Sequence, residues 1–309
     1  DNIYVWSRIV ATAREGEVFA SSREELGSTK GVGFLIRDSP ENIGERLVKR
    51  LMNQLKAKTP RGGVFPVVLG PDVTGTFVHE AFGHLAEADL TISGSVLARN
   101  LGMQIASPLV TIYDDGTVEG EFGSFKYDDE GVRSQKTVLL KEGYVVGLMY
   151  DREHSAKMQK LKNLMVPTEM IGQFNAKPTG NARAEDFRVP PLIRMRNTYI
   201  EPLDYTFEEL LEGINFGYYL VSFRGGQANL DGTFQVGIQE AYEIVNSELG
   251  DPVRNVSISG NTLETLKQVD AVGKDFKIYS GRCGKGQTAF VGDGGPPIRV
   301  KKIIVGGAD

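Results

Sequence analysis

His79-Glu80-Ala81-Phe82-Gly83-His84, reached directly from Val64-Phe65-Pro66-Val67-Val68-Leu69-Gly70-Pro71-Asp72, is the stretch on which the reading of this chain turns. Two imidazoles bracketing a carboxylate supply a metal site with its own general base. In the common zinc-protease pattern the histidines are four residues apart and leave one face of a helix together. Here the interval is five, which an undistorted helix opens to roughly 140°, too wide for one tetrahedral ion. A single π-type turn at Ala81-Phe82-Gly83 reduces the angle to about 50°, and Gly83 tolerates that distortion most easily. The apolar run over 64–69 reads as a buried strand that feeds this helix.

Upstream, residues 3 to 20 alternate apolar and polar positions around Arg14-Glu15-Gly16-Glu17, the pattern of a β-hairpin turning at Gly16. Ser39-Pro40 then offers a cap and a first-turn proline, and Ile43, Leu47, Leu51 and Leu55 recur every fourth residue through Lys56, which predicts a helix. Thr59-Pro60-Arg61-Gly62-Gly63 breaks the pattern and is read as a domain boundary. The chain opens on Asp1 and enters Ile3-Tyr4-Val5-Trp6 as a strand already under way, the reading expected of a fragment or processed form.

Downstream of residue 105, short strand-like runs alternate with turn signals at Asp114-Asp115-Gly116, Asp128-Asp129-Glu130-Gly131, Glu142-Gly143 and Arg224-Gly225-Gly226. Two helices are expected there. One starts at the Thr206–Glu209 capping box, and the other runs from Asn261 with Leu263, Leu266, Val269 and Val272 on one stripe. The fold class is therefore α+β, with mixed or antiparallel sheets and few helices.

Lys plus Arg is 35 against 40 for Asp plus Glu, a formal net charge of −5, so no broad cationic field attracts nucleic acid or anionic lipid. No apolar run approaches the roughly 18 residues of a membrane span, and no basic-then-apolar leader opens the chain. One cysteine, Cys283, cannot form an internal disulfide. These features lead to the expectation of a cytoplasmic protein.

An ion bound by His79 and His84 needs a third protein ligand and an open fourth position if the site is catalytic. Cys283, in Arg282-Cys283-Gly284-Lys285, is one candidate, and Arg282 and Lys285 would favour its thiolate. His154, in Tyr150-Asp151-Arg152-Glu153-His154, is the fallback, although its charged surroundings suit a surface histidine. Glu80 is the natural general base, taking a proton from a metal-activated water as that water attacks a carbonyl. Glu87 and Asp89, one turn on, are placed to orient a ligand imidazole. Gly225 and Gly226 could present backbone groups to an extended peptide, though a tight hairpin or bulge explains them as well. Asp128-Asp129-Glu130 lacks the spacing of a calcium loop and reads as a turn.

Several motifs in order, Val67-Val68-Leu69-Gly70-Pro71, the His79–His84 stretch, Ala106-Ser107-Pro108-Leu109-Val110, Asp128–Gly131, Thr179-Gly180-Asn181, Asn197-Thr198-Tyr199 and Cys283-Gly284-Lys285, resemble the TldD/PmbA family, specifically its TldD branch. The resemblance spans residues 60 to 309. It implies a zinc metallopeptidase with one Zn²⁺ per chain held by His79, His84 and Cys283, and with Glu80 as the catalytic glutamate. It also implies flexible or unfolded peptides as substrates, and a homodimer or a heterodimer with a PmbA-type paralogue. On the same footing, residues 1–59 correspond to an incomplete C-terminal part of the family's α/β N-terminal domain, and residues 60–309 to the sheet-rich metallopeptidase domain. Thiolate ligation donates more charge than a carboxylate would, so slow, selective processing is expected over bulk digestion. The alternative is a non-catalytic partner or scaffold subunit whose metal is structural, closed by four protein ligands.

Overall fold

The computed structural model of the chain describes residues 2–33 and 38–307; Asp1 lies outside them. The N-terminal alternation folds as β1 (Val5–Glu15) and β2 (Val18–Ser28), an antiparallel hairpin in which Gly16 takes φ 57, the left-handed conformation a glycine adopts without cost. Helix α1 (Pro40–Lys56) starts where its signals predict. The Ser39 side chain accepts the Asn42 N–H, Pro40 occupies the first turn, and Ile43, Leu47 and Leu51 face inward. On that same face the buried Arg50 bonds Glu24 of β2 at 3.0 Å and Glu240 at 2.9 Å, so charge as well as apolar area fixes the hairpin and helix to the body of the protein.

Strand β3 (Gly63–Leu69) runs through Gly70 into α2 (Pro71–Val78), and α3 (Ala88–Ile92) follows after the histidine turn. Next come β4 (Ile112–Asp115), β5 (Lys136–Lys141), β6 (Tyr144–Val145) and α4 (Arg152–Met165). The short ladder of β7 (Ala182–Arg183) with β8 (Leu192–Ile193) precedes β9 (Asn197–Ile200) and α5 (Phe207–Leu211). The rest is strand-rich: β10 (Phe216–Ala228), β11 (Thr233–Val245), β12 (Glu248–Val253), β13 (Val256–Asn261), then α6 (Thr262–Lys267), β14 (Val269–Val272), β15 (Lys277–Gly284), β16 (Thr288–Gly295) and β17 (Ile298–Gly307).

The order β10-β3-β17-β13-β11 closes on itself because β10 also pairs with β11, with β12 and β14 attached at the rim. Only β3 and β10 are parallel in that ring. A second sheet, β15-β16-β9-β4-β5-β6, is antiparallel except between β16 and β9. The chain is thus an α+β protein of mixed sheets. Between ring and second sheet lies α2, buried on every side from Val73 to Val78, as a helix apolar all round must be.

The contact is so close that a Cβ built on Gly75 would stand 2.4 Å from the Gly294 nitrogen of β16. A backbone atom cannot swing aside. Gly75→Ala is therefore expected to destabilise the fold by about 1–3 kcal/mol or more, seen as a lower midpoint in chemical denaturation. A midpoint equal to wild type would mean that helix and strand are not packed backbone to backbone.

Three expectations need correction. The stripe that begins at Asn261 is not one helix. Thr262–Lys267 is helical, but Val269–Val272 forms β14 on β17, because β-branched valines bury against a waiting strand edge better than they prolong a short helix. Arg224-Gly225-Gly226 is not a turn either; it lies inside β10 beside irregular pairing with β11, and the chain reverses later, around Gly232 at φ 87. Helix α4 was not expected, since only Ser155 and Met158 of its fourteen residues are buried and no apolar stripe announces it. Asp128–Gly131 is the turn expected, with Asp128 Oδ1 accepting from the amides of Glu130 and Val132.

Candidate metal centre

The segment His79–Gly83 is a π turn: the His84 N–H bonds back five residues to the His79 carbonyl. One extra residue per turn brings the rings to 5.2 Å between centroids, with their planes 88° apart. The wide turn has its own supports. The Thr262 hydroxyl donates to the Ala81 carbonyl at 2.8 Å, and a Cβ on Gly83 would sit 2.2 Å from Met195 Sδ, so no larger residue fits there.

Cys283 reaches the rings from β15. Its Sγ is 3.2 Å from His84 Nε2, and one ligand atom from each of His79, His84 and Cys283 lies within 4.8 Å of the other two. Buried Arg194 anchors the strand end that carries the thiol, donating to the carbonyls of Cys283 at 2.7 Å and Gln287 at 2.5 Å. The Nδ1 of His79 is buried with no hydrogen-bond partner among the described residues, so that ring is not fully committed elsewhere. Two imidazoles and a thiolate are a donor set suited to zinc.

His154 is elsewhere in the bonding pattern. It sits in the first turn of α4 with Nδ1 2.9 Å from the Asp151 carboxylate, and it is not in the metal-ligand cluster. Glu80 is half-buried beside the cluster, its carboxylate 4.0 Å from His84 Nε2. A Cβ on Gly226 would lie 3.7 Å from Glu80 Cγ, whereas Gly225 meets nothing within 4 Å.

Glu87 is fully buried. Its Oε2 is 3.3 Å from His84 Nδ1 and 3.0 Å from Lys285 Nζ, which also donates to Asp89 at 2.6 Å and to the Ile193 carbonyl at 3.2 Å. Asp89 therefore acts on Lys285, which in turn pairs with Glu87, and not on an imidazole. Arg282 does not approach the thiol's partners; it is exposed and lies 4.2 Å over the Trp6 ring. A neutral amide at position 87 would hold His84 less firmly and leave Lys285 short of a partner. Glu87→Gln is expected to lower zinc affinity about 10–100-fold, measured by competition with a chromogenic chelator. Unaltered affinity would remove Glu87 from any part in holding the ring.

Charge is tightly shared in the absence of an ion. Burial alone would raise the Cys283 thiol, but the two imidazoles outweigh it and hold the group at about 4. Burial likewise opposes protonation of the rings. The thiolate overcomes it for His79, pushed up to about 9, and with Glu87 for His84, pushed up to about 10. Glu87 stays below the usual carboxylate range despite burial, because His84 and Lys285 flank it. Asp293 of β16 is pushed up to about 7 by desolvation, against the pull of His79 and with the repulsion of Asp72, Glu80 and Cys283. Sequence reading missed Asp293; the one available signal was an acid set among glycines in Gly292-Asp293-Gly294-Gly295.

Comparisons with known proteins agree in kind. Residues 62–307 match the family model described as the PmbA/TldA metallopeptidase C-terminal domain. Over 301 residues the chain is 44% identical to a protein of Saccharolobus solfataricus named zinc metalloprotease TldD homolog, covering 97% of this chain and 64% of that one. Over 300 residues it is 43% identical to a protein of Methanothermobacter thermautotrophicus named metalloprotease, covering 96% and 62%. The chain thus spans slightly less than two thirds of the length of these relatives. The fold is similar to that of TldE from Thermococcus kodakarensis, with a TM-score of 0.71 at 21% identity over 98% of this chain and 63% of that one.

Proposed function

The chain belongs to the TldD/PmbA family of metallopeptidases, and on that premise we propose that it hydrolyses peptide bonds in flexible or unfolded peptides, with one zinc ion held by His79, His84 and Cys283. The observation that carries the reading is the convergence of three ligand atoms within 4.8 Å beside a glutamate that is not one of them. When bound, zinc polarises a carbonyl and lowers the pKa of the attacking water. Glu80 takes the proton from that water and returns it to the leaving amine. Glu87 keeps the His84 ring oriented throughout.

The substrate's place follows from β10. As far as Leu220, β3 pairs along one edge of β10; from Val221 onward that edge carries no strand among the described residues, and Arg224 to Gln227 are exposed. A peptide added there as an extended strand would bond through its backbone, and Gly225 and Gly226 allow it to come close to Glu80. Recognition through main-chain groups suits substrates defined by being unfolded more than by a particular side chain.

Among the described residues no helix is long and apolar enough to cross a membrane. We place the protein in the cytoplasm, where a lone thiolate ligand stays reduced. A second subunit completes the reading, either another copy or a PmbA-type paralogue, and the likeness to TldE supports the latter. A scaffold with a closed structural ion would require a fourth ligand, and His154, the spare histidine, is bonded to Asp151. The test is metal analysis with an unfolded-peptide cleavage assay on the wild type and on Glu80→Gln. Equal zinc in both with hydrolysis only in the wild type is expected; a zinc-loaded wild type that cleaves no unfolded peptide would overturn the reading.

A further inference from the structure

We infer that Asp72 is a positioning residue for the substrate strand: by holding Ser222 and Phe223 it sets where the open edge of β10 begins, and so which peptide bond of a bound chain faces Glu80. This rests on the peptidase reading above.

The edge changes character within three residues. The Gly70 N–H donates to the Leu220 carbonyl at 2.7 Å, the last bond between the β3 side and β10. Pro71 has no N–H to continue the ladder, and the chain turns into α2. The next groups on β10 would be left unpaired between two packed elements. Asp72 Oδ2 meets them, accepting from Ser222 Oγ at 2.6 Å and from the Phe223 N–H at 3.1 Å. A carboxylate of α2 thus takes the place of a strand for one step of the ladder.

The pairing of β10 with β11 shifts register between Leu220 and Ser222, between Ser222 and Phe223, and between Phe223 and Gly225. The bonds to Asp72 fall in the middle of this irregular stretch, where the strand is least determined by its neighbour. Gln239 of β11 steadies it from the other side, donating to Ser222 Oγ at 2.9 Å and accepting the Arg23 N–H of β2 at 3.1 Å. From Phe223 to Gly226, the residue beside Glu80, is three residues, roughly 10 Å of strand.

Asp72 and Glu80 stand on one continuous helical segment, α2 and its π turn. Anchor and base are therefore fixed relative to each other by a buried helix and not by a loop. A strand added at the open edge inherits its register from the anchor. Weakening the anchor lets that register drift while the metal ligands keep their places.

The test uses Asp72→Asn with its zinc, a set of unstructured peptides of defined sequence, and mass spectrometry of the products. Zinc content is expected to match wild type. KM is expected to rise about tenfold, as for loss of a charge-assisted hydrogen bond, with kcat changed less, and cleavage is expected to spread to neighbouring bonds. Ser222→Ala, which removes one donor and leaves the Phe223 bond, is expected to move KM and the cleavage map the same way by a smaller amount, and it decides the matter if Asp72→Asn does not fold. Unchanged KM and an unchanged cleavage map would overturn the inference, as would a fall in kcat at constant KM. A wild type that cleaves no peptide would instead sink the peptidase reading on which it rests.

Discussion

Glu80→Gln is expected to lower kcat for peptide hydrolysis by about 10²–10⁴-fold, with zinc content and KM close to wild type. Expressed as a barrier, that is about 3–5 kcal/mol. Gln keeps the size and hydrogen-bonding ends of the side chain but cannot carry a proton between water and leaving amine. Glu80 lies 4.0 Å from His84 Nε2 and outside the three-residue ligand cluster, so its charge is not needed to keep the ion. Residual hydrolysis in the variant would measure what carbonyl polarisation and substrate binding supply without a base. Undiminished kcat would remove Glu80 from the chemistry, and loss of zinc would make it a ligand instead.

The second large effect is expected from Cys283→Ala, with zinc affinity falling by more than about 100-fold, beyond what loss of an outer partner costs. The same substitution alters how binding depends on pH. In the wild type without metal, the thiol is held at about 4 and is already ionised at neutral pH, while His79 and His84, pushed to about 9 and 10, carry protons. Those protons must leave before the rings can act as ligands. Zinc binding at pH 7 should therefore release protons, and apparent affinity should climb with pH until about 9 to 10 and fall away in acid. Without the thiolate, burial is no longer outweighed and the rings become neutral at lower pH, so proton release at pH 7 shrinks even as affinity drops. Calorimetry in buffers of different ionisation heat reads both quantities. A Cys283→Ala chain that holds zinc as tightly as the wild type would dissolve the proposed ligand set.

Local signals carried much of this structure, and long-range pairing carried the rest. The hairpin, the cap and stripe of α1, and the strand leading to the histidines are all written within short windows of sequence. So is the π turn, because a five-residue interval between ligands leaves a helix few other ways to bring them together. Glu87 could be named as a support because one turn of separation is a local relation. Closure of the ring through β10 and β11 could not be foreseen, since it depends on which strands meet and not on what each is made of. The approach of Cys283 to His84 spans 199 residues; the residue types nominated the pair, and only folding sets the distance. Arg194 would have been read as surface from its charge, yet it is buried with its guanidinium on two main-chain carbonyls. Asp72 looked like a helix-start acid, and its bonds to a strand 150 residues away have no local signature.

The wide turn between the histidines has a consequence for how freely this chain can vary. Removing one residue from Ala81-Phe82-Gly83 would restore ordinary helical winding and the familiar four-residue interval, and both rings would still share a face. Everything after the deletion, however, would rotate by about 100° about the axis. Glu87 would swing off His84, and the ammonium of Lys285 would lose the acid it neutralises. The extra residue is thus locked in by its neighbours: a lineage could shed it only by rebuilding the acid, the lysine and the glycine against Met195 in the same step.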